Sequence, residues 1–284
     1  MTATAHDTTT AIFRGMDRAT LDAAYNNSEA VADSPNWLEQ WRARSAVRRA
    51  APHARLDLAY GDKERTSLDY FAAGVSGAPL LVFLHGGYWQ RNSKEMFSFV
   101  ADGPNARGVD VAVVGYTLAP AARLSEIVGE IDAALDFLVA DTGGFDFDRR
   151  RVVVGGWSAG GHLASVASAR PMVSGALCIS GIFDLEPIAL CYLNDLLRLD
   201  RREIEQLSPL RRIHAGAAPQ CLVVGGDELP ELRRQSADYA EVASRFGLPI
   251  RSRTLPGHHH FSMLDELAGS DGALTTELLS LLGE

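Results

Sequence analysis

The chain has 284 residues, 46% of them hydrophobic, and a formal net charge of −9 at pH 7. That length and apolar content suffice for one sizeable core, and an α/β domain of this size is commonly a single unit. No long Lys/Arg run is present, and the arginine-bearing segment Arg42 to Arg49 is short, so an acidic chain of this kind is a poor electrostatic match for nucleic acid.

Cys178, Cys191 and Cys221 are an odd set, and Cys178 and Cys221 lie inside apolar runs, so no disulfide framework is expected. The N-terminal MTATAHDTTT has neither a basic nor an apolar stretch, and no segment approaches about 18 consecutive apolar residues. The expectation is a soluble, cytoplasmic protein with a small-molecule substrate and neither a nucleic-acid nor a membrane partner. Oligomeric state, a homodimer included, is left open.

Residues 1–10 are polar and expected to be mobile. Helical spacing of Leu21, Ala24 and Tyr25, then of Trp37, Leu38 and Trp41, predicts a helical arm from Asp17 to about Arg49. Residues 1–50 thus read as tail and arm, and 51–284 as the main domain. Alternation over Arg55–Tyr60 and Ser67–Phe71, with Gly61-Asp62 between, predicts an antiparallel hairpin at a sheet edge. The apolar run Leu80–Leu84 predicts a buried strand, and Asp110–Tyr116 another. Leu124, Ile127, Ile131, Leu135 and Leu138 then mark one helix face. Further strands are expected at Val152–Val154, Gly175–Ser180, Cys221–Gly225 and Pro249–Leu255, before a C-terminal helix from about Met263. Strands alternating with helices imply a mainly parallel, doubly wound sheet of eight strands, with its site at the strands' carboxyl ends. The segment from Ser180 to Pro219 is too long for a simple crossover, and residues 183–215 read as a lid-like insertion.

Gly156-Trp157-Ser158-Ala159-Gly160 matches G-x-S-x-G between a valine-rich strand and a helix of small residues, the setting of a nucleophile elbow. A serine hydroxyl needs a base, and that base needs an acid to hold its tautomer. In the α/β-hydrolase order Ser, acid, His, only His258, His259 and His260 follow the last strand, and His260, directly before Phe261 and the final helix, is the chosen base. Adjacent loop histidines point apart and no spaced Cys/His set accompanies them, so neither a metal nor another cofactor is expected. His162 reads as a packed structural residue. For the acid, Glu228 stands three residues past the strand-ending Gly225 and is favoured over Asp227, which could instead cap the next helix. The oxyanion donors would be the amides of Ala159 and of Gly86 and Gly87 after the third strand.

These residues resemble the serine-dependent kynurenine formamidases (arylformamidases) of the α/β-hydrolase superfamily. The resemblance rests on His85-Gly86-Gly87-Tyr88-Trp89-Gln90, Tyr116-Thr117-Leu118-Ala119-Pro120, Ser158-Ala159-Gly160, Ser180 to Ile188, Pro230 to Ser236 and His260-Phe261. It runs from about Tyr60 to the C-terminus and also puts Glu228 at the acid position, where animal members carry aspartate. Trp157 departs from it, since many members have histidine there. The resemblance implies hydrolysis of an aryl formamide such as N-formylkynurenine through an acyl-enzyme. A carboxylesterase for short-chain acyl esters is the alternative. Tyr88 and Trp89, with Phe183 and Tyr192, would shape an aromatic leaving-group site or else belong to the core. No residue is singled out for the charged end of the substrate; Arg91 and Arg198 are the arginines close to the insertion.

Overall fold

The eight expected strands become one sheet in the computed structural model, which describes residues 10–140 and 144–284; the polar tail of residues 1–9 lies outside the described residues. The strands are β1 (Ala54–Ala59), β2 (Ser67–Phe71), β3 (Ala78–Leu84), β4 (Asp110–Val114), β5 (Phe147–Trp157), β6 (Gly175–Ile179), β7 (Gln220–Gly225) and β8 (Ile250–Leu255). Their spatial order is β1-β2-β4-β3-β5-β6-β7-β8. Antiparallel pairing joins β1 to β2 and β2 to β4, and every other pair is parallel. This is the mainly parallel α/β-hydrolase sheet that the alternation predicts.

Strands β3, β4, β6 and β7 are buried along their whole length, as central parallel strands must be. Because side chains alternate, Leu80, Val82 and Leu84 enter the core on one face while Leu81 and Phe83 enter the core on the other. At the far edge, β8 exposes Arg251 and Arg253, which pair with Glu277 and leave a charged, poorly sticky edge. No helix of the described residues is long and apolar enough to cross a membrane.

The arm is three helices rather than one: Arg18–Ala24, Asn27–Ala30 and Ser34–Arg49. The breaks follow side-chain chemistry. The Asp17 carboxylate accepts from the Thr20 amide at 2.8 Å, the Asn26 side chain accepts from the Glu29 amide, and Pro35 opens the third helix. Trp41 is fully buried among Phe97, Phe99, Trp157 and Phe261. Arg49 at the end of the same helix pairs with the buried Asp69 of β2, which also holds Lys94 Nζ at 2.7 Å. The arm is thereby part of the core and not an appendage.

Between β6 and β7 the chain forms three short helices, Glu186–Leu190, Asn194–Leu197 and Arg201–Leu207. Side chains satisfy their approach: Gln235 Oε1 accepts from the amides of Phe183 and Asp184 at 2.6 and 2.8 Å, and Ser208 Oγ accepts from the Leu185 amide. The C-terminal helix begins later than the apolar pattern suggests. A short turn (Ser262–Leu264) and one helical turn (Asp265–Ala268) precede the helix Ala273–Leu281. The interruption falls at Gly272, where a β-carbon would lie 2.1 Å from the Glu266 carbonyl oxygen.

The tightest backbone contact of the fold is Gly160, on the helix Ala159–Ala167, against the end of β3: a β-carbon there would lie 1.9 Å from the Leu84 carbonyl oxygen. Gly160→Ala should therefore cost roughly 3 kcal/mol or more in urea unfolding, at or above the upper end for overpacking. Gly129 sits inside the helix Leu124–Val139 with nothing within 4 Å of its added β-carbon. Gly129→Ala should instead stabilise by about 0.5–1 kcal/mol. Equal effects of the two substitutions would contradict the packing argument.

Candidate active site

Ser158 follows the last residue of β5 and precedes the helix Ala159–Ala167, with φ 59° and ψ −118°. A serine at positive φ is strained, and the strain is sustained by its surroundings. Its amide donates to Ile179 O of β6 at 2.8 Å. A β-carbon on Gly156 would lie 2.2 Å from Gly160 O, so only glycine lets the two sides of the turn approach.

Three segments distant in sequence meet beside this turn. His260, in the loop after β8, places Nδ1 2.7 Å from Glu228 Oε2. The other carboxylate oxygen, Oε1, accepts from Ser180 Oγ at 2.6 Å and from the Gly225 amide at 2.7 Å. The Glu228 side chain is wholly buried and the His260 side chain nearly so. Because a carboxylate only accepts, His260 Nδ1 is the donor, and in the neutral ring that leaves the lone pair on Nε2, the tautomer a base requires. Asp227 is exposed, and among the described residues its carboxylate reaches neither His260 nor the helix Pro230–Arg245, whose capping position is Leu229. Of the adjacent histidines, His258 faces Glu266 at 3.5 Å and His259 packs edge-on to Trp37, so the three rings diverge.

Trp157 is the residue whose contribution the motif conceals. Its indole N–H donates to the His260 carbonyl at 2.9 Å, and its ring lies 4.6 Å from the imidazole, between centroids. It is itself braced edge-on by Trp41 of the arm at 5.1 Å. Ser180, just past the end of β6 with φ 51°, is given no site role by the sequence; its signals there are its position at a strand's carboxyl end and its place in the Ser180 to Ile188 stretch of the resemblance.

Gly86 and Gly87 lie where β3 ends. A β-carbon on Gly86 would strike the Trp157 ring at 2.5 Å, and Gly87, at φ +118°, would strike Arg91 O at 2.4 Å. Among the described residues, the amides of both glycines donate to no protein acceptor. Ala159, first residue of its helix, likewise has no intrahelical acceptor for its amide. His85 is buried between Tyr116 and Phe97, and Tyr116 Oη donates to His85 O at 2.7 Å. Desolvation lowers the His85 pKa to about 4, so this ring is neutral at pH 7 and props the loop. His162 is similarly lowered to about 4 by burial, and its Nε2 donates to Leu207 O at 2.7 Å, the structural part expected of it.

A pocket opens onto Ser158 and His260. Tyr88, Trp157 and Tyr192 line it together with Asn27 and Leu38 of the arm. Tyr88 and Trp89 diverge. Tyr88 faces the cavity, donating to Tyr25 O at 2.7 Å and accepting from Asn27 Nδ2 at 3.0 Å. Trp89 is fully buried, edge-on to His162, and is not among the described lining residues. Phe183 stacks on Tyr239 in the core at 4.7 Å, leaving Tyr192 as the insertion's aromatic residue at the cavity.

The BD-FAE family profile matches residues 70–174, the span from β2 through the elbow helix. A kynurenine formamidase of Salmo salar is 31% identical over 81% of this chain and 82% of its own length. One of Danio rerio is 28% identical over 83% and 84%. A crystal structure assigned provisionally as a thioesterase, from Silicibacter sp. TM1040, superposes with a TM-score of 0.81 at 28% identity, covering 91% of this chain and 98% of its own.

The hydrogen bonds around Glu228 rank the carboxylates. Glu228→Gln should slow phosphonate labelling of Ser158 by several orders of magnitude, Asp227→Asn by less than about twofold. Ser180→Ala, which removes one bond to the carboxylate, should cost about tenfold. A larger loss in the Asp227 variant than in the Glu228 variant would reverse the assignment.

Proposed function

The chain belongs to the kynurenine formamidase family, and from that premise we propose that Ser158, His260 and Glu228 form the triad of a serine hydrolase that cleaves the formyl group from an aryl formamide such as N-formylkynurenine. The observation that carries this reading is that His260, paired with the buried Glu228, lines one pocket together with Ser158 and Gly87.

His260 Nε2 takes the Ser158 proton as Oγ attacks the formyl carbon. The amides of Gly86, Gly87 and Ala159 then receive the developing oxyanion, each such donor being worth about 3 kcal/mol of transition-state stabilisation. An arylamine leaves poorly as an anion, so the imidazolium returns the proton to nitrogen as the C–N bond breaks. A water molecule, deprotonated by the same imidazole, attacks the formyl ester and releases formate. Glu228 stays hydrogen-bonded to Nδ1 throughout and stabilises the imidazolium.

Formyl carries hydrogen where other acyl groups carry carbon, so the acyl side of the site needs little room, and the cavity walls made by Tyr88 and Tyr192 are free to receive an aromatic amine. Three cysteines without disulfides, all buried, suit a reducing compartment, and we place the enzyme in the cytoplasm.

Steady-state kinetics test the reading. The kcat/KM for N-formylkynurenine should exceed that for p-nitrophenyl acetate, and Ser158→Ala should lower kcat by about 10⁶-fold, the scale of a lost serine nucleophile. Efficient ester hydrolysis with negligible formamide turnover would favour the short-chain carboxylesterase. Retained turnover in the alanine variant would refute the serine mechanism.

A further inference from the structure

Among the described residues lining the cavity, Arg91 is the sole arginine or lysine, and no aspartate or glutamate lines it. Its polar companions at the arm side, Asn26, Asn27 and Ser28, carry no charge. Other arginines of this acidic chain are neutralised, Arg49, Arg123, Arg211 and Arg234 each holding at least two carboxylates. Among the described residues, Arg91 has no carboxylate within ion-pair distance. Arg198, the other arginine near the insertion, does not line the cavity.

The backbone that carries Arg91 is held from both sides. The Gln90 and Arg91 amides both donate to Gly87 O at 3.0 Å. Gln90 Nε2 donates to Leu193 O of the insertion at 2.8 Å, and Arg65 Nη2 donates to Asn92 O at 2.6 Å. The root of the side chain is therefore fixed against the proposed oxyanion loop, while its guanidinium is left for a ligand. An unpaired guanidinium at the rim of a pocket whose lining carries no carboxylate is suited to a planar anion.

We propose that Arg91 binds a carboxylate on the leaving-group side of the substrate, so that the enzyme selects anionic aryl formamides, such as those with an amino-acid side chain, over neutral ones. The inference rests on the formamidase reading for its scissile bond, but not for the anion. The guanidinium contacts a group remote from the reacting carbon, so its contribution is realised in ground and transition states alike and appears chiefly in KM.

The experiment compares matched pairs that differ only in charge: N-formylkynurenine with its α-carboxamide, and 3-acetoxybenzoate with 3-acetoxybenzamide. In the native enzyme the kcat/KM ratio of acid to amide should exceed one and shrink as salt rises. In Arg91→Gln that ratio should fall about tenfold, a hydrogen-bonded charge contact discounted for exposure, with Arg91→Lys falling less. If neither formamide is turned over while the ester pair shows the loss, the formamidase reading fails and the anion site stands. Ratios unchanged by Arg91→Gln in every pair that is turned over overturn it. Should no pair be turned over, kynurenine binding to Ser158→Ala decides: a Kd unaltered by adding Arg91→Gln overturns the proposal, and a tenfold weakening sustains it.

Discussion

Two backbones pressed together set the geometry on which the site depends. The elbow helix runs so close to the end of β3 that Gly160 leaves no space for a β-carbon beside Leu84 O, and Gly86 leaves none beside Trp157. These contacts hold the loop bearing Gly86 and Gly87 against the turn bearing Ser158. Parallel pairing of β3 with β5 sets the register that brings both ends to the same edge, Leu84 opposite Gly156. The positive φ of Ser158 is the local cost of that arrangement, and it is borne by a packed core on both faces of the sheet. A proposed nucleophile and its oxyanion donors are thus positioned by rigid strands rather than by flexible loops.

The Glu228–His260 pair is built on the other side of the turn by a different device. Burying a carboxylate is costly unless its oxygens are bonded, and Glu228 meets that requirement with a hydroxyl, an amide and an imidazole from three segments. The extra methylene of glutamate suits this reach from the turn after β7. Trp157 then couples the pair to the elbow, since the residue that precedes Ser158 also donates to the His260 backbone. The Trp157 ring gives the pair a large apolar brace shared with Trp41.

Most of this was legible in sequence because it depends on local pattern. Continuous apolar runs mark the central strands, the 3 and 4 spacing of Leu124 to Leu138 marks a helix observed over Leu124–Val139, and chain order puts acid before histidine. What could not be read was contact between remote segments. Tyr88 and Trp89 are adjacent aromatics in one loop, both at positive φ, yet one faces the cavity and the other is sealed in the core. Ser180 bonds to a carboxylate 48 positions away. The three-helix form of the arm was written in Asp17, Asn26 and Pro35, but amphipathic periodicity runs across such breaks without registering them.

The division of labour between sheet and covering layers follows from these contacts. The carboxyl ends of β5, β6 and β7 carry Ser158, Ser180 and the turn to Glu228, groups that suit acyl transfer in general and say little about substrate. The pocket walls come from the layer above. Asn26 and Asn27 join two helices of the arm, Tyr192 belongs to the insertion, and Arg91 belongs to the loop between them. These pieces are tied to one another: Tyr88 Oη bridges Asn27 and Tyr25, and Tyr25 Oη accepts from Gln235, which also fixes the start of the insertion. A change in any one of them shifts the walls without touching Ser158 or His260. The arm, the glycine loop and the insertion together make the rim of the pocket, while the residues behind it are held by the sheet.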